Sequence, residues 1–171
     1  MTAHYPQRFG CYAEFDTTDH PEVMVRSGIS YVDMAGASNN LSNEITEPFG
    51  WNFEAVHKHQ SDSWNNILNR VRIYSNDYRE KVRFYTNLYR AFCRNTFSDA
   101  DRRWVDAAGN IQKLDDPDAV ALGCDAFWNT FWNLNQVWNL IAPEWSSRWV
   151  KSQLAMYDAN GWLAKGPSGM K

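Results

Sequence analysis

Phe127, Phe131, Leu134, Trp138 and Ile141 recur at steps of 4, 3, 4 and 3, which is one apolar stripe on a helix. Trp128 and Trp132 make a second face aromatic, while Asn129, Asn133, Asn135 and Asn139 supply the polar groups. A helix that is apolar or aromatic nearly all round is buried on most sides. The segment from about 126 to 141 is therefore expected to be a helix buried on most sides. Two further stripes precede it. Phe53, Val56, Gln60, Trp64, Ile67, Leu68 and Val71 follow Asn52, a natural cap; Val82, Tyr85, Leu88, Tyr89 and Phe92 follow Asn76 or Asp77. The short link near Ser75 predicts that these two helices pack as an antiparallel hairpin. A fourth helix opens at Pro143 and closes at Gly161, with Trp145, Trp149 and Met156 along one stripe.

The first thirty residues follow another period. Cys11 to Asp16 and Val23 to Ser27 alternate in the manner of strands, with the turn-forming TTDHPE (17–22) between them. A hairpin or two neighbouring strands are expected there, although two strands alone are marginal in water and need a larger sheet. Residues 33–45, rich in Ala, Asn and Ser, predict a short helix that breaks near Pro48 and Gly50. The section 97–123 has no helical period. It reads as a long excursion with a small hairpin around Gly109, and long irregular excursions in compact domains are commonly functional.

Composition narrows the classes. Hydrophobic residues at 44% with 22% charged are the balance of a globular core. The net charge of -3 argues against a nucleic-acid partner, which calls for a basic patch. No run of 18 apolar residues is present, so no membrane-spanning segment is expected. The opening MTAHYPQRFG lacks the apolar stretch of a secretory signal. Cys11, Cys93 and Cys124 are odd in number and fit no zinc spacing, so free, mostly buried thiols are expected. His57 and His59 lie two apart on a helix and face different directions. With no HExxH, GxSxG or glycine-rich phosphate loop, zinc proteases, hydrolase triads and P-loop enzymes have no support.

The remaining outlier is aromatic content: 9 Trp, 8 Tyr and 9 Phe make 15% of the chain. Tryptophans beside asparagines are the ingredients of core packing, and equally of a sugar site, where rings stack on aromatic faces and amides bond hydroxyls. Trp128 and Asn129 are the favoured substrate-binding pair, with Asp99 and Asp101 as pocket-lining candidates. Other acids are Asp115, Asp116 and Asp118, read as a solvated loop, together with Asp125 and Glu144, the last serving its helix terminus. A glycosidase needs two carboxyls across the scissile bond, and no such pair can be fixed from spacing alone.

Four segments carry a family resemblance. RFYTNLYRAFCRNTFSDADRRWVD (83–106) resembles the pattern FYTxLYxxxxxPxxFSDxDGxYxG of glycoside hydrolase family 92. DAFWNTFWNLNQVWNLIAPEW (125–145) resembles that family's WDTxR helix, SQLAMYDANGWLAKGP (152–167) its GGWLPKWP turn, and RSGISYVDMAGASNNL (26–41) its approach to the helical domain. Together they cover about 28–167 in the family's order. The resemblance implies exo-acting, inverting, calcium-dependent α-mannosidases built from a β-sandwich and an (α/α)6 barrel. The fold class expected on this basis is mainly α: partial (α/α)6-barrel helices preceded by one or two strands. Residues 1–32 would be the last sandwich strands, 33–50 a linker helix and loop, and 51–171 the first, incomplete set of barrel helices. The carbohydrate partner would be an α-mannoside or related glycan, and the location secreted or periplasmic. The family's general acid, its base aspartates and most calcium ligands would lie beyond Lys171, which leaves this chain catalytically inert by itself. The family's WDT aspartate falls on Asn129, its DTxR arginine on Trp132 and its LPKW tryptophan on Gly166, as in a divergent subgroup. The alternative reading is a non-catalytic, aromatic-rich carbohydrate-binding or structural helical module.

Overall fold

In the computed structural model, which describes residues 12–19, 21–123 and 130–163, helices dominate. Asp33 caps α1 (Met34–Leu41) by accepting the Gly36 amide through its carboxylate at 2.6 Å. The helical path continues through a wide π turn (Ser42–Thr46) into the short α2 (Glu47–Phe49), and ends at Gly50, whose φ of 57° lies in the left-handed region. The break expected at Pro48 and Gly50 is there. Asn52 caps α3 (Phe53–Leu68) through the Ala55 amide at 3.0 Å, and Asp77 caps α4 (Tyr78–Phe92) through that of Arg79 at 2.8 Å. Trp64 meets Tyr89 with ring centroids 4.4 Å apart, and further along Val71 accepts the Tyr85 hydroxyl at 3.0 Å. Advancing along α3 means retreating along α4, so the pair is the expected antiparallel hairpin.

The excursion is more regular than its sequence suggests. β2 (Arg103–Val105) and β3 (Ile111–Lys113) pair antiparallel around Gly109, whose φ is 89°. A second ladder joins β1 (Asn95–Thr96) to β4 (Leu122–Gly123), closing the excursion at its base. Strands of two or three residues are too short to leave a period-2 trace. Asp106 holds the hairpin turn from inside: it is buried, and its carboxylate accepts the amides of Ala108 and Asn110 and the side chain of Gln112, at 2.8–2.9 Å.

A π turn (Thr130–Leu134) leads into α5 (Asn135–Ile141), and Pro143 opens α6 (Pro143–Asn160), which Gly161 closes at φ 75°. Two apolar clusters meet on α6. Near its start, Trp145 and Trp149 pack against Leu88, Phe92, Trp138 and Ala142. Near its end, Met156 packs with Trp104, Leu114, Ala119 and Ala121.

Three expectations are corrected. Among the described residues, 12–19 and 21–33 form no strand; the stretch is extended and largely exposed, because no neighbouring sheet supplies the pairing that two strands alone cannot sustain. Of the aromatic helix's described residues, Thr130 and Trp138 are the buried ones. Phe131, Trp132 and Leu140 stand open to solvent, since no described element packs over them. Cys93, free as expected, is exposed rather than buried, because it lies just past the last turn of α4. Cys11 and Cys124 lie outside the described residues.

Candidate functional site

The densest set of polar side chains lies where the start of α1 meets the hairpin. Arg103 stands on β2, directly before the buried Trp104, which anchors the strand and turns Arg103 to the opposite side. Its guanidinium donates to Asp33 Oδ2 through Nη1 at 2.9 Å and to Asp101 Oδ2 through Nε at 2.6 Å; Nη2 lies 3.9 Å from Asp99 Oδ2. Three carboxylates from two distant segments thus share one planar cation, a geometry suited to arginine and not to lysine.

Asp99 is the buried member, 5% exposed. Asn40 Nδ2 donates to its Oδ1 at 2.9 Å and the Ser30 hydroxyl to its Oδ2 at 2.8 Å. Asn40 completes the join by accepting the Ala100 amide at 2.7 Å and donating to the Ile29 carbonyl at 2.9 Å. Gly36 permits this approach. A Cβ there would lie 2.2 Å from Asp99 Oδ2 and 2.7 Å from Ser30 Oγ.

The charges are tuned by these contacts. The Arg103 hydrogen bond and the Gly36 amide hold the Asp33 carboxyl below the usual carboxylate range. Burial pushes Asp101 up, but the bonds from Arg103 outweigh it and the net direction is down. Arg103 is itself raised, first by Asp33 and then by Asp101. Asp33, Asp101 and Arg103 therefore carry their charges at neutral pH. Chemically, the partly exposed Asp33 and Asp101 can accept bonds from hydroxyls, whereas both Asp99 oxygens are engaged within the chain.

The sequence candidates fall as follows. Asp99 and Asp101 are brought together at this node. Trp128, Asn129 and Asp125 lie outside the described residues. Asp115 and Asp118 are exposed, in keeping with a solvated loop, but Asp116 joins Lys151 of α6 at 2.5 Å, a contact that lowers its carboxyl. Glu144 is lowered first by its own backbone amide, against burial, and then by an ion pair with Arg70. His57 stacks on Phe53 and His59 packs on Phe49, so the two do point apart. Sequence reasoning missed Ser30, Asp33, Asn40 and Arg103 as partners. The available sign was the run of small residues 35–38, which announces close backbone approach. Among the described residues, no group of three or more His, Cys, Asp or Glu is disposed to hold a metal ion, and the carboxylate trio is already closed by Arg103. These residues do not fit a calcium site.

The helical scaffold matches a defined class. Residues 36–171 correspond to the glycosyl hydrolase family 92 catalytic domain, and the chain belongs to that family. Among solved structures, the family GH92 α-mannosidase BT3965 from Bacteroides thetaiotaomicron superposes with a TM-score of 0.70 at 25% identity, over 82% of this chain and 19% of that one. The same enzyme in complex with mannoimidazole gives a TM-score of 0.69 at 25% identity, over 82% and 18%. The chain therefore spans about a fifth of that enzyme's length. No curated protein matches it. The family pattern's FSDxDG lies over Phe97–Arg102, so its glycine falls on Arg102. This residue has a φ of 70°, and it is the one non-glycine among the described residues in the left-handed region.

Proposed function

We infer that the protein carrying this chain is a family 92 glycosidase that hydrolyses α-mannosides in exo fashion, with inversion and with calcium. The observation that carries this reading is the match of residues 36–171 to the family's catalytic domain, supported by the likeness to an α-mannosidase that binds mannoimidazole. The chain contributes the first helices of an (α/α)6 barrel, after a preceding sandwich domain whose last residues are 1–32. The general acid, the base and the calcium ligands belong to other parts of the protein. Inverting hydrolysis needs an acid and a base on opposite faces of the bond. Within this chain, Trp128, Asn129 and Asp101 are assigned to the sugar side, with Asp101 as an ionised acceptor for hydroxyls. Asp99 lies beneath it and holds α1 against the hairpin.

The test is hydrolysis of an aryl α-mannoside by the complete protein, with the product anomer followed by NMR and the assay repeated after chelation. Turnover with inverted product, lost on chelation and restored by calcium, is expected. The isolated 171-residue chain should turn over none. Sustained hydrolysis by that chain, or no mannosidase activity in the complete protein, would overturn the assignment.

A further inference from the structure

Residues 24–27 run extended beside the junction of α2 and α3, and the two enclose a groove of about 230 Å³. Its walls are apolar, formed mainly by Met24, Ile45, Phe53 and Val56. Arg26 and Trp51 break that pattern. The Arg26 guanidinium lies 3.7 Å from the Trp51 ring centroid, and Nη1 donates to the Gly50 carbonyl at 3.0 Å. Its Nε is shut from solvent without a hydrogen-bond partner. Among the described residues, Arg26 forms no ion pair, although every other groove polar group is backbone or small side chain.

A guanidinium with unspent donors recognises carboxylates and phosphates, and it keeps its charge at any physiological pH. The guanidinium lines the groove with one Nη1 bond to the Gly50 carbonyl, which leaves charge to be met by an anion. Trp51 is 56% exposed, so Arg26 leaves much of the indole open to a ring. The volume lies below the roughly 300–1,000 Å³ of drug-sized pockets and suits one ring, not an oligosaccharide.

We propose that this groove is a binding subsite for a single anionic pyranose, a sugar ring bearing a carboxylate or a phosphate, whose charge pairs with Arg26 while its ring rests against Trp51. The anion follows from Arg26 and the groove alone; the choice of a sugar rests on the family reading. Uronic acids and sugar phosphates share this chemistry.

The test titrates the complete protein, labelled with 15N at tryptophan, and follows the Trp51 indole resonance, assigned with Trp51→Phe. D-Glucuronate, D-mannose 6-phosphate and D-mannose are the probes. A saturable shift is expected with at least one of the two acids, weakening as salt is raised, and none with mannose at the same concentration. The tighter acid identifies the natural class. Arg26→Met should weaken binding by tenfold or more, and Arg26→Lys by a smaller factor, because charge remains without the fork. The buried Trp138 indole reports whether each variant is folded. If Arg26→Met is unfolded, the Lys variant and the salt series still decide. Failure of both acids to shift Trp51, equal binding of mannose, or salt-independent binding would overturn the proposal. Failure of the mannosidase reading would appear as absent turnover in the complete protein and would leave this titration unchanged.

Discussion

The two ends of α6 teach different lessons about burial. At its C-terminal end the excursion wraps the helix, and polar ties seal the contact. Ser152 accepts the Leu122 amide at 2.8 Å, Asn160 accepts that of Ala107 at 3.0 Å, and Lys151 reaches Asp116 at 2.5 Å. Trp104 is almost wholly enclosed there. At the N-terminal end four helices share a cluster of larger side chains, yet Phe131, Trp132, Val82 and Leu140 remain outside it. The first sector is completed by 27 residues of local chain (97–123) folded back on one helix. The second has helices with a covered face and an open one. Small residues and short strands make the closed sector, whereas long aromatic stripes make the open one.

Truncating the two sectors should give unequal responses. Trp104→Ala empties the closed sector and should cost about 3–5 kcal/mol, the usual price of a buried aromatic. Trp132→Ser alters only the open face and should change stability by less than about 0.5 kcal/mol. It should also reduce self-association, since exposed apolar patches drive it. Chemical denaturation and sedimentation of both variants check the pair. A Trp132→Ser loss as large as that of Trp104→Ala would end the distinction between sectors.

Trp138 tests the covered face of the open sector. It is 2% exposed, and its Nε1 donates to the Ala91 carbonyl at 2.9 Å, tying α5 to the last turn of α4. Trp138→Phe keeps an aromatic ring but deletes the donor and leaves a gap. A loss of about 1–3 kcal/mol is expected, read from the urea midpoint.

These contrasts show what was legible in the sequence. α3, α4 and α6 carried their boundaries openly, through Asn52, the pair Asn76 and Asp77, Pro143 and Gly161, because caps and stripes are local. The hairpin at Gly109 was visible for the same reason. The β1–β4 ladder was not, since a two-residue strand has no period. At the site, Asp99 and Asp101 were recognised as candidates from the FSDAD turn, but their partners Asp33 and Arg103 lie 70 residues apart and meet only through the fold. The exposure of Phe131 and Trp132 could not be foreseen from a stripe, which says that a face is apolar and not what covers it.

The Arg103 node should show itself in acid. Asp33 and Asp101 are both held below their ordinary value of 3.8. As the pH falls below about 3.8 the unfolded chain takes up protons on these groups before the folded chain does, so their contribution, present above that value, is progressively lost. Asp106 and Asp116 share the direction and remain in every variant used here. Arg103→Met should therefore flatten the fall in stability as the pH drops through the carboxylate range, since neither Asp33 nor Asp101 is then held down by the guanidinium. Urea midpoints at several pH values measure it; an acid slope identical to that of the parent chain would remove Arg103 from the account.

The smallest effect is expected at Arg102, where the family pattern has glycine. Its φ of 70° places a Cβ against the following carbonyl, a strain of about 1–2 kcal/mol that glycine avoids. Arg102→Gly relieves it but forfeits the bond from Nη1 to the Asp115 carbonyl, 2.8 Å, which steadies the acidic loop. It also loosens the unfolded chain, because glycine has more conformations to lose. Gain and losses are of similar size, so the net change should stay within about 1 kcal/mol. Arg102→Ala separates the terms: it loses the bond and keeps the strain, and should be the less stable of the two variants. If alanine proves equal to or better than glycine at this position, the left-handed backbone is not strained, and the departure from the family pattern has no cost in the closed sector.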